Sequence, residues 1–515
     1  MSTRSFQCIF TRSSLLGWLG LFLFFACKNE DPGLGFNMAP GTTISIDSIG
    51  LPDSIRLFTQ VKLNWSGTDE DGYVKGFRIS WSTDETKAKS GLVFSQLVSN
   101  TDSTFLFNFT GAANIADIYF YVQAIDNKNQ PDPNPAFLKI PVKNSAPSIN
   151  FQLDGLPTND TLWSVFSFPY QFSDPDGENN IDSVFLRIND SEWVSIPKNL
   201  NFLSVVPEDP SSLGETRCLL YAGENLATSN KEPSPLPGIF LNGVKLNSRN
   251  QFFLKVKDFA GAFSIDTTPV NYYIKAKTAD LLIIDANDNE GFIGDTIYTN
   301  IVGEISNYDR IDMVVKSGKN QPKFWNASFY LLCKQYKKLF WYSDVISEIA
   351  GQTSLMLTFA SGSLIQYLRF NGKLLACSNF PKTNLSNDDP IFSLIPIAKI
   401  QRETGEIRLR RNFPVVSLDP SFPNLRSIIN NVPGAITDVN LFELKPGVDS
   451  LYKIRRTSLT STYTGPELPL ALRTKNSFNG KTNLIFFGMR LSYLSGDRQA
   501  LKNTLNRILN EEFNW

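Results

Sequence analysis

Val61-Lys62-Leu63-Asn64-Trp65-Ser66-Gly67-Thr68-Asp69-Glu70-Asp71-Gly72 runs from an alternating apolar and polar stretch into an acidic turn closed by glycine. Successive side chains of a β-strand point to opposite faces, so Val61, Leu63 and Trp65 predict a strand with one buried face and place Trp65 in a core. The unit recurs: a second strand-like run ends in Phe172-Ser173-Asp174-Pro175-Asp176-Gly177. Further along each copy, Tyr121-Val122-Gln123-Ala124-Ile125-Asp126-Asn127 is echoed by Leu254-Lys255-Val256-Lys257-Asp258-Phe259. Repeated period-two runs with turn-rich spacers predict two all-β sandwiches, over 41–144 and 145–277. The division falls at Lys143-Asn144-Ser145-Ala146-Pro147, where a proline opens a new run. The second copy also carries a loop-rich insertion at 200–250, with Pro207-Glu208-Asp209-Pro210 and Pro233-Ser234-Pro235.

These features resemble fibronectin type III and related bacterial immunoglobulin-like modules, in which Asp-x-Asp-Gly sits between two strands. The pairs Asp69 with Asp71 and Asp174 with Asp176 are candidate oxygen ligands for calcium. No twelve-residue EF-hand loop follows either pair, and Asp-Gly is ordinary turn chemistry, so a structural turn is the preferred reading.

Near Lys277 the texture changes. Leu281-Leu282-Ile283-Ile284-Asp285 is a continuous apolar run of the kind buried on both faces of a sheet. Further strands are expected at 311–315, 338–342, 373–376 and 483–488, with helical stretches at 298–306, 328–336, 363–370 and 497–512. Apolar strands alternating with helices predict an α/β doubly wound domain with a parallel sheet over 278–515. The strand 281–285, the run Tyr336-Lys337-Lys338-Leu339-Phe340-Trp341-Tyr342-Ser343-Asp344 and the ending Leu484-Ile485-Phe486-Phe487-Gly488 resemble the class I glutamine amidotransferase-like fold. That resemblance implies a nucleophilic cysteine in a Gly-x-Cys-x-Gly elbow with a histidine base. Cys377 lies at a comparable place, but its neighbours are Ala376 and Ser378, the elbow glycines are missing and the chain has no histidine, so the domain is expected to be non-catalytic. The turn after the first strand holds Asp285, Asp288 and Glu290, oxygens that suit magnesium or calcium at a strand's carboxyl end; the alternative is a solvated turn that caps the next helix.

The N-terminus predicts an address. Arg4 and Arg12 precede an apolar run over 15–26, too short to span a bilayer, and the run ends in Leu23-Phe24-Phe25-Ala26-Cys27. This resembles a bacterial lipobox, which implies a signal peptide at 1–26 and a lipidated Cys27. The following Lys28-Asn29-Glu30-Asp31 is similar to the export signals of Bacteroidota surface lipoproteins, with Lys28, Glu30 and Asp31 as its charged members and 27–40 as a tether. An outer-membrane lipoprotein, exposed at the surface, is the expected localisation. Eight Asp-Ser or Asp-Thr triplets, at Ser48, Ser54, Ser103, Thr161, Ser183, Thr267, Thr296 and Ser450, are similar to Bacteroidota O-glycosylation acceptors.

Composition narrows the chemistry. The 515 residues are 42% hydrophobic and 12% aromatic with net charge −1, enough apolar material for roughly three domains and no basic field for nucleic acid. The chain contains no histidine, which excludes Ser-His-Asp triads, Cys-His dyads and His-based zinc sites. Cys218, Cys333 and Cys377 form an odd set outside the N-terminal segment, expected to be reduced and buried. The sequence thus predicts a binding or scaffold protein, without cofactor unless calcium or magnesium occupies an acidic turn, its partner an envelope protein or polysaccharide. The alternative is a carboxylate-dependent hydrolase of extracellular carbohydrate or peptidoglycan.

Overall fold

The structure is a computed structural model that describes residues 36–46, 56–109, 114–226, 231–287, 293–313, 322–343, 346–349, 352–380, 385, 388–401, 407–428, 436, 439–459 and 463–515. By contact the chain divides into two compact units, Met1–Leu51 with Lys62–Thr104 and Asp117–Ile140, and Pro52–Val61 with Phe105–Ala116 and Pro141–Trp515. Among the described residues no helix is long and apolar enough to cross a membrane.

The opening stretch forms strands as its alternation demands. β1 (Gly41–Ile46), β2 (Leu57–Phe58), β3 (Gln60–Thr68), β4 (Val74–Ser82), β5 (Leu97–Val98), β6 (Asp102–Leu106), β7 (Ile115–Asp126) and β8 (Ala136–Lys143) make two sheets, ordered β1-β3-β6 and β2-β8-β7-β4-β5. Leu63 and Trp65 of β3 are buried, and Trp65 lies edge-on to Phe77, 6.4 Å between ring centres.

The second sandwich repeats this plan strand for strand. β9 (Ser148–Phe151), β10 (Thr161–Trp163), β11 (Phe166–Ser173), β12 (Ile181–Ile188), β13 (Val194–Ile196), β14 (Phe202–Pro207), β15 (Glu215–Ala222), β16 (Phe240–Lys245), β17 (Ser248–Asp258) and β18 (Val270–Lys275) give β16-β15-β14-β11-β9 and β10-β18-β17-β12-β13. In both sandwiches a short edge strand pairs in parallel with the last strand, β2 with β8 and β10 with β18. The insertion at 200–250 is not merely loop. Its first strand, β14, occupies the place of β6, and β15 and β16 extend that sheet by an antiparallel pair. Phe166, Phe168, Leu203, Val205, Leu186 and Leu254 fill the core between the sheets, and each fully buried side chain of this size contributes about 1.5–3 kcal/mol.

Residues 278–515 are built on one nine-stranded sheet. Its strands are β19 (Leu281–Asp285), β20 (Asp309–Asp312), β21 (Lys338–Ser343), β22 (Leu374–Ser378), β23 (Pro414–Ser417), β24 (Leu425–Arg426), β25 (Asp449–Ile454), β26 (Pro469–Lys475) and β27 (Thr482–Phe487), in the order β20-β19-β21-β22-β27-β26-β25-β23-β24. The first five strands in that order are parallel. The remaining four continue the sheet antiparallel. The sheet is therefore mixed where the sequence pattern predicted a parallel one.

Both faces of the parallel part are covered. Leu281, Ile283, Phe340, Tyr342, Leu375 and Phe487 point into one core, joined there by Tyr298 and Val302 of α1 (Ile293–Gly303). The alternate residues Leu282, Ile284, Trp341, Ala376 and Phe486 enter the other, with Met356 and Leu364 of α2 (Met356–Arg369). Leu501 and Leu505 of α3 (Arg498–Asn506), whose N-cap Asp497 accepts from Ala500 N–H, return to the first core. Val165, Val206 and Tyr221 of the second sandwich belong to the other core.

Candidate functional site

A cleft of about 720 Å³ opens where the second sandwich meets the edge of the nine-stranded sheet. On the sandwich side, β10 presents Trp163 from an edge strand, and Lys275 Nζ of the adjacent β18 sits 5.3 Å from the centre of its ring. Facing it, β20 contributes Arg310 and Asp312, and Phe324 and Phe329 supply aromatic wall. Strand alternation sorts β20: Asp309 turns inward, where it accepts from Thr278 N–H at 2.8 Å and Tyr336 Oη–H at 3.0 Å, while Arg310 turns to the cleft.

Arg310 is held in place. Its Nη2 bonds Asp285 and lies 3.0 Å from Asp312 Oδ1. Burial works against its charge, but Tyr342, Asp285 and Asp312 outweigh that and raise its pKa. An aromatic platform beside a fixed guanidinium and several hydroxyl and carboxylate groups can stack a flat apolar face and hydrogen-bond a polar rim.

The sequence-derived candidates fall differently. Cys27, Lys28, Glu30, Asp31, Asp288 and Glu290 lie outside the described residues. Asp285 is buried at the carboxyl end of β19, accepts from Asn287 N–H at 3.0 Å and pairs with the guanidinium of Arg310. Asp69 and Asp71 lie in the turn between β3 and β4, with Asp71 N–H on Asp69 Oδ1 at 3.4 Å and Lys128 Nζ 3.2 Å from Asp71 Oδ2. Asp174 and Asp176 take the same place between β11 and β12, with Asp176 N–H on Asp174 Oδ1 at 2.7 Å. Gly177, at φ +108°, makes the left-handed step after them. Among the described residues, no three His, Cys, Asp or Glu side chains gather into a group that could hold a metal ion.

The fold brings a third aspartate to each turn: Asp126 closes β7 and Asp258 closes β17. The repeat echo contained both, and the shared ending was the available signal. Nothing in the sequence marked Trp163 or Arg310, which meet only through tertiary packing. Cys377 is 2% exposed, with its Sγ 3.9 Å from Tyr298 Oη, and burial pushes the thiols of Cys218 and Cys333 up. All three cysteines are unbridged. Thr267, one of the acceptor triplets, is buried and its Oγ1 accepts from Leu254 N–H, so it is not presented at the surface.

No protein-family model and no curated protein matches the chain. Among solved structures, the fibronectin(III)-like modules of Clostridium thermocellum CbhA are similar at 10% identity, covering 45% of this chain and 94% of that one, with a TM-score of 0.16. The FN1–FN3 domains of chicken CNTN1 are similar at 12% identity over 46% and 99%, TM-score 0.14. A 1.5-MDa bacterial ice-binding adhesin gives 11% over 47% and 99%, TM-score 0.14. At these scores the assignment of fibronectin III-like sandwiches rests on strand order and pairing.

Proposed function

We propose that this chain is a lipid-anchored cell-envelope protein that works by binding or scaffolding, with its ligand or partner engaged at the Trp163–Arg310 cleft. The observation that carries the reading is the cleft itself, a concave surface joining one aromatic platform to a fixed cation. Cys27 is the acylated residue, and Lys28, Glu30 and Asp31 direct the protein to the outer surface. The C-terminal part is read as a doubly wound, degenerate glutamine amidotransferase-like domain. Its parallel strands fall in the order second-first-third-fourth-fifth, with helical side chains in both cores, which supports that reading. Fold alone does not set activity.

The test uses the full chain expressed in its envelope. Cys27→Ser is expected to move the protein from the membrane fraction to a soluble pool. Trp163→Ala is expected to weaken binding to isolated surface polysaccharide or peptidoglycan roughly tenfold, about 1.4 kcal/mol. Equal binding by wild type and Trp163→Ala removes the cleft from the reading. Cleavage of either polymer by wild type, lost when one cleft carboxylate is amidated, replaces it with a hydrolase.

A further inference from the structure

We propose that the Asn-x-Ala-Pro segment at 37–40 is a latch, and that β1 is a releasable edge strand that stays on the first sandwich while the latch is closed. The inference is independent of the cleft. It starts from a repeat just ahead of two strands: Asn37-Met38-Ala39-Pro40 leads into β1, and Asn144-Ser145-Ala146-Pro147 leads into β9. Both enter their sheets at the same register. Gly41 pairs with Thr68, the residue before Asp69, and Ser148 pairs with Ser173, the residue before Asp174. Each segment is thereby brought to the acidic turn of its own sandwich.

The turns grip the two segments through matching bonds. Asp126 Oδ2 accepts from Asn37 Nδ2, and Asp258 Oδ2 accepts from Asn144 Nδ2 at 2.6 Å. Asp71 Oδ1 accepts from Met38 N–H at 3.1 Å, and Asp176 Oδ2 accepts from Ser145 N–H at 2.6 Å. Pro40 and Pro147 are buried just beyond. In the first sandwich Asn37 Nδ2 also donates to Gln130 Oε1 at 2.7 Å. Burial opposes the charge of Asp126, but Asn37 and the N–H groups of Gln130 and Lys128 outweigh it and lower its pKa. The clasp on Asn37 is therefore made to a carboxylate, the stronger form of such a bond.

What the latch holds differs between the copies. β9 buries Ile149 and Phe151, 3% and 7% exposed, in the core of the second sandwich. β1 buries none of its six residues: Thr42, Ile44 and Ile46 are half-buried and the alternate ones exposed. Packing thus contributes to β9 and far less to β1. β1 is also the outer strand of its sheet, paired along one side with β3. Thr42 adds a hold within the strand, its Oγ1–H donated to Asp132 Oδ2 at 2.6 Å. A strand with few buried contacts and one neighbour opens at low free energy, and a pull on the chain ahead of residue 37 reaches the latch before the pairing with β3. Opening uncovers the edge of β3, whose unpaired N–H and C=O groups can take another extended chain.

The test is hydrogen exchange of the full-length chain at neutral pH, read on peptides covering β1, β4, β7 and β9, in wild type, Asn37→Ala, Asn37→Asp and Asn144→Ala. Asn37→Ala removes the clasp, and Asn37→Asp sets a second carboxylate against Asp126. Both are expected to speed exchange in β1 by roughly tenfold or more, Asn37→Asp the more, with β4 and β7 unchanged. Asn144→Ala is expected to speed exchange in β9 by less than about threefold, because Ile149 and Phe151 stay packed. Unchanged exchange of β1 in both Asn37 variants overturns the proposal and leaves the pairing with β3 as what holds the strand. Equal acceleration of β1, β4 and β7 overturns it too, since the segment then braces the whole sandwich, as does a β9 freed by Asn144→Ala to the same degree as β1.

Discussion

Trp65 shows how one side chain ties the first sandwich together. It is 3% exposed, packs edge-on against Phe77, and donates Nε1–H to Asn100 O at 2.8 Å while its backbone N–H donates to Thr101 O at 2.8 Å. Truncation removes a large apolar body, leaves a cavity that the neighbouring strands fill only in part, and orphans a carbonyl. We expect Trp65→Ala to cost about 3–5 kcal/mol, read as a lowered unfolding midpoint of the full chain, and a shift within error would show that the strand tolerates the void. This role was legible because alternation alone assigns Trp65 a face. The buried hydrogen bond from Asn144 Nδ2 to Asp258 Oδ2, 2.6 Å, was not, since it joins residues remote in sequence, and no local pattern encodes which strand end closes over which turn.

At the scale of elements, legibility followed burial pattern. Leu281–Asp285 was readable because all five residues are buried, one set into each core. The antiparallel extension was not, and its bulges explain why: the pairing of β25 with β26 shifts register around Tyr452, and that of β26 with β27 shifts at Thr474 and Lys475. Each extra residue breaks the two-residue alternation on which strand recognition rests. The 200–250 insertion hid β15 and β16 in the same way, through a register shift near Cys218 and turns at its ends. Charge also helps hold the extension. Asp419, after β23, accepts from Ser421 Oγ–H at 2.7 Å and faces Arg473 Nη1 of β26 at 3.0 Å. The Ser421 hydroxyl foremost, then backbone and Arg473, hold its carboxyl below the ordinary 3.8. A depressed carboxylate stabilises the fold above the ordinary value and loses that contribution as pH falls through the folded one. Asp419→Asn should therefore lower the unfolding midpoint at pH 7 by the equivalent of about 1 kcal/mol, discounted for partial exposure. The gap to wild type should close below pH 3.8; a gap constant with pH would assign the effect to shape rather than charge.

For the molecule as a whole, the change of texture near Lys277 is a change of sheet type, and the apolar packing runs across it. Val165, Val206 and Tyr221 from the second sandwich share a core with Leu282, Trp341 and Phe486. Phe202 lies edge-on to Phe324 at 4.7 Å, Lys334 pairs with Glu232 at 2.9 Å, and Ser164 bonds Gln335. A boundary that folds independently carries few such crossings. Composition could not reveal this, because the residues concerned look like the ordinary inward face of β14 and β15 until the neighbouring sheet is placed. A fragment of 278–515 must expose the surface those side chains cover, and each of the three contributes about 1.5–3 kcal/mol when buried. We therefore expect 145–515 to be soluble and to unfold in one cooperative calorimetric transition, and 278–515 to melt at a lower temperature or aggregate. Val206→Ala within 145–515 should move that single transition down rather than split it. A 278–515 fragment that melts at the same temperature as its counterpart in 145–515 would show that the shared core is a contact between two self-sufficient domains.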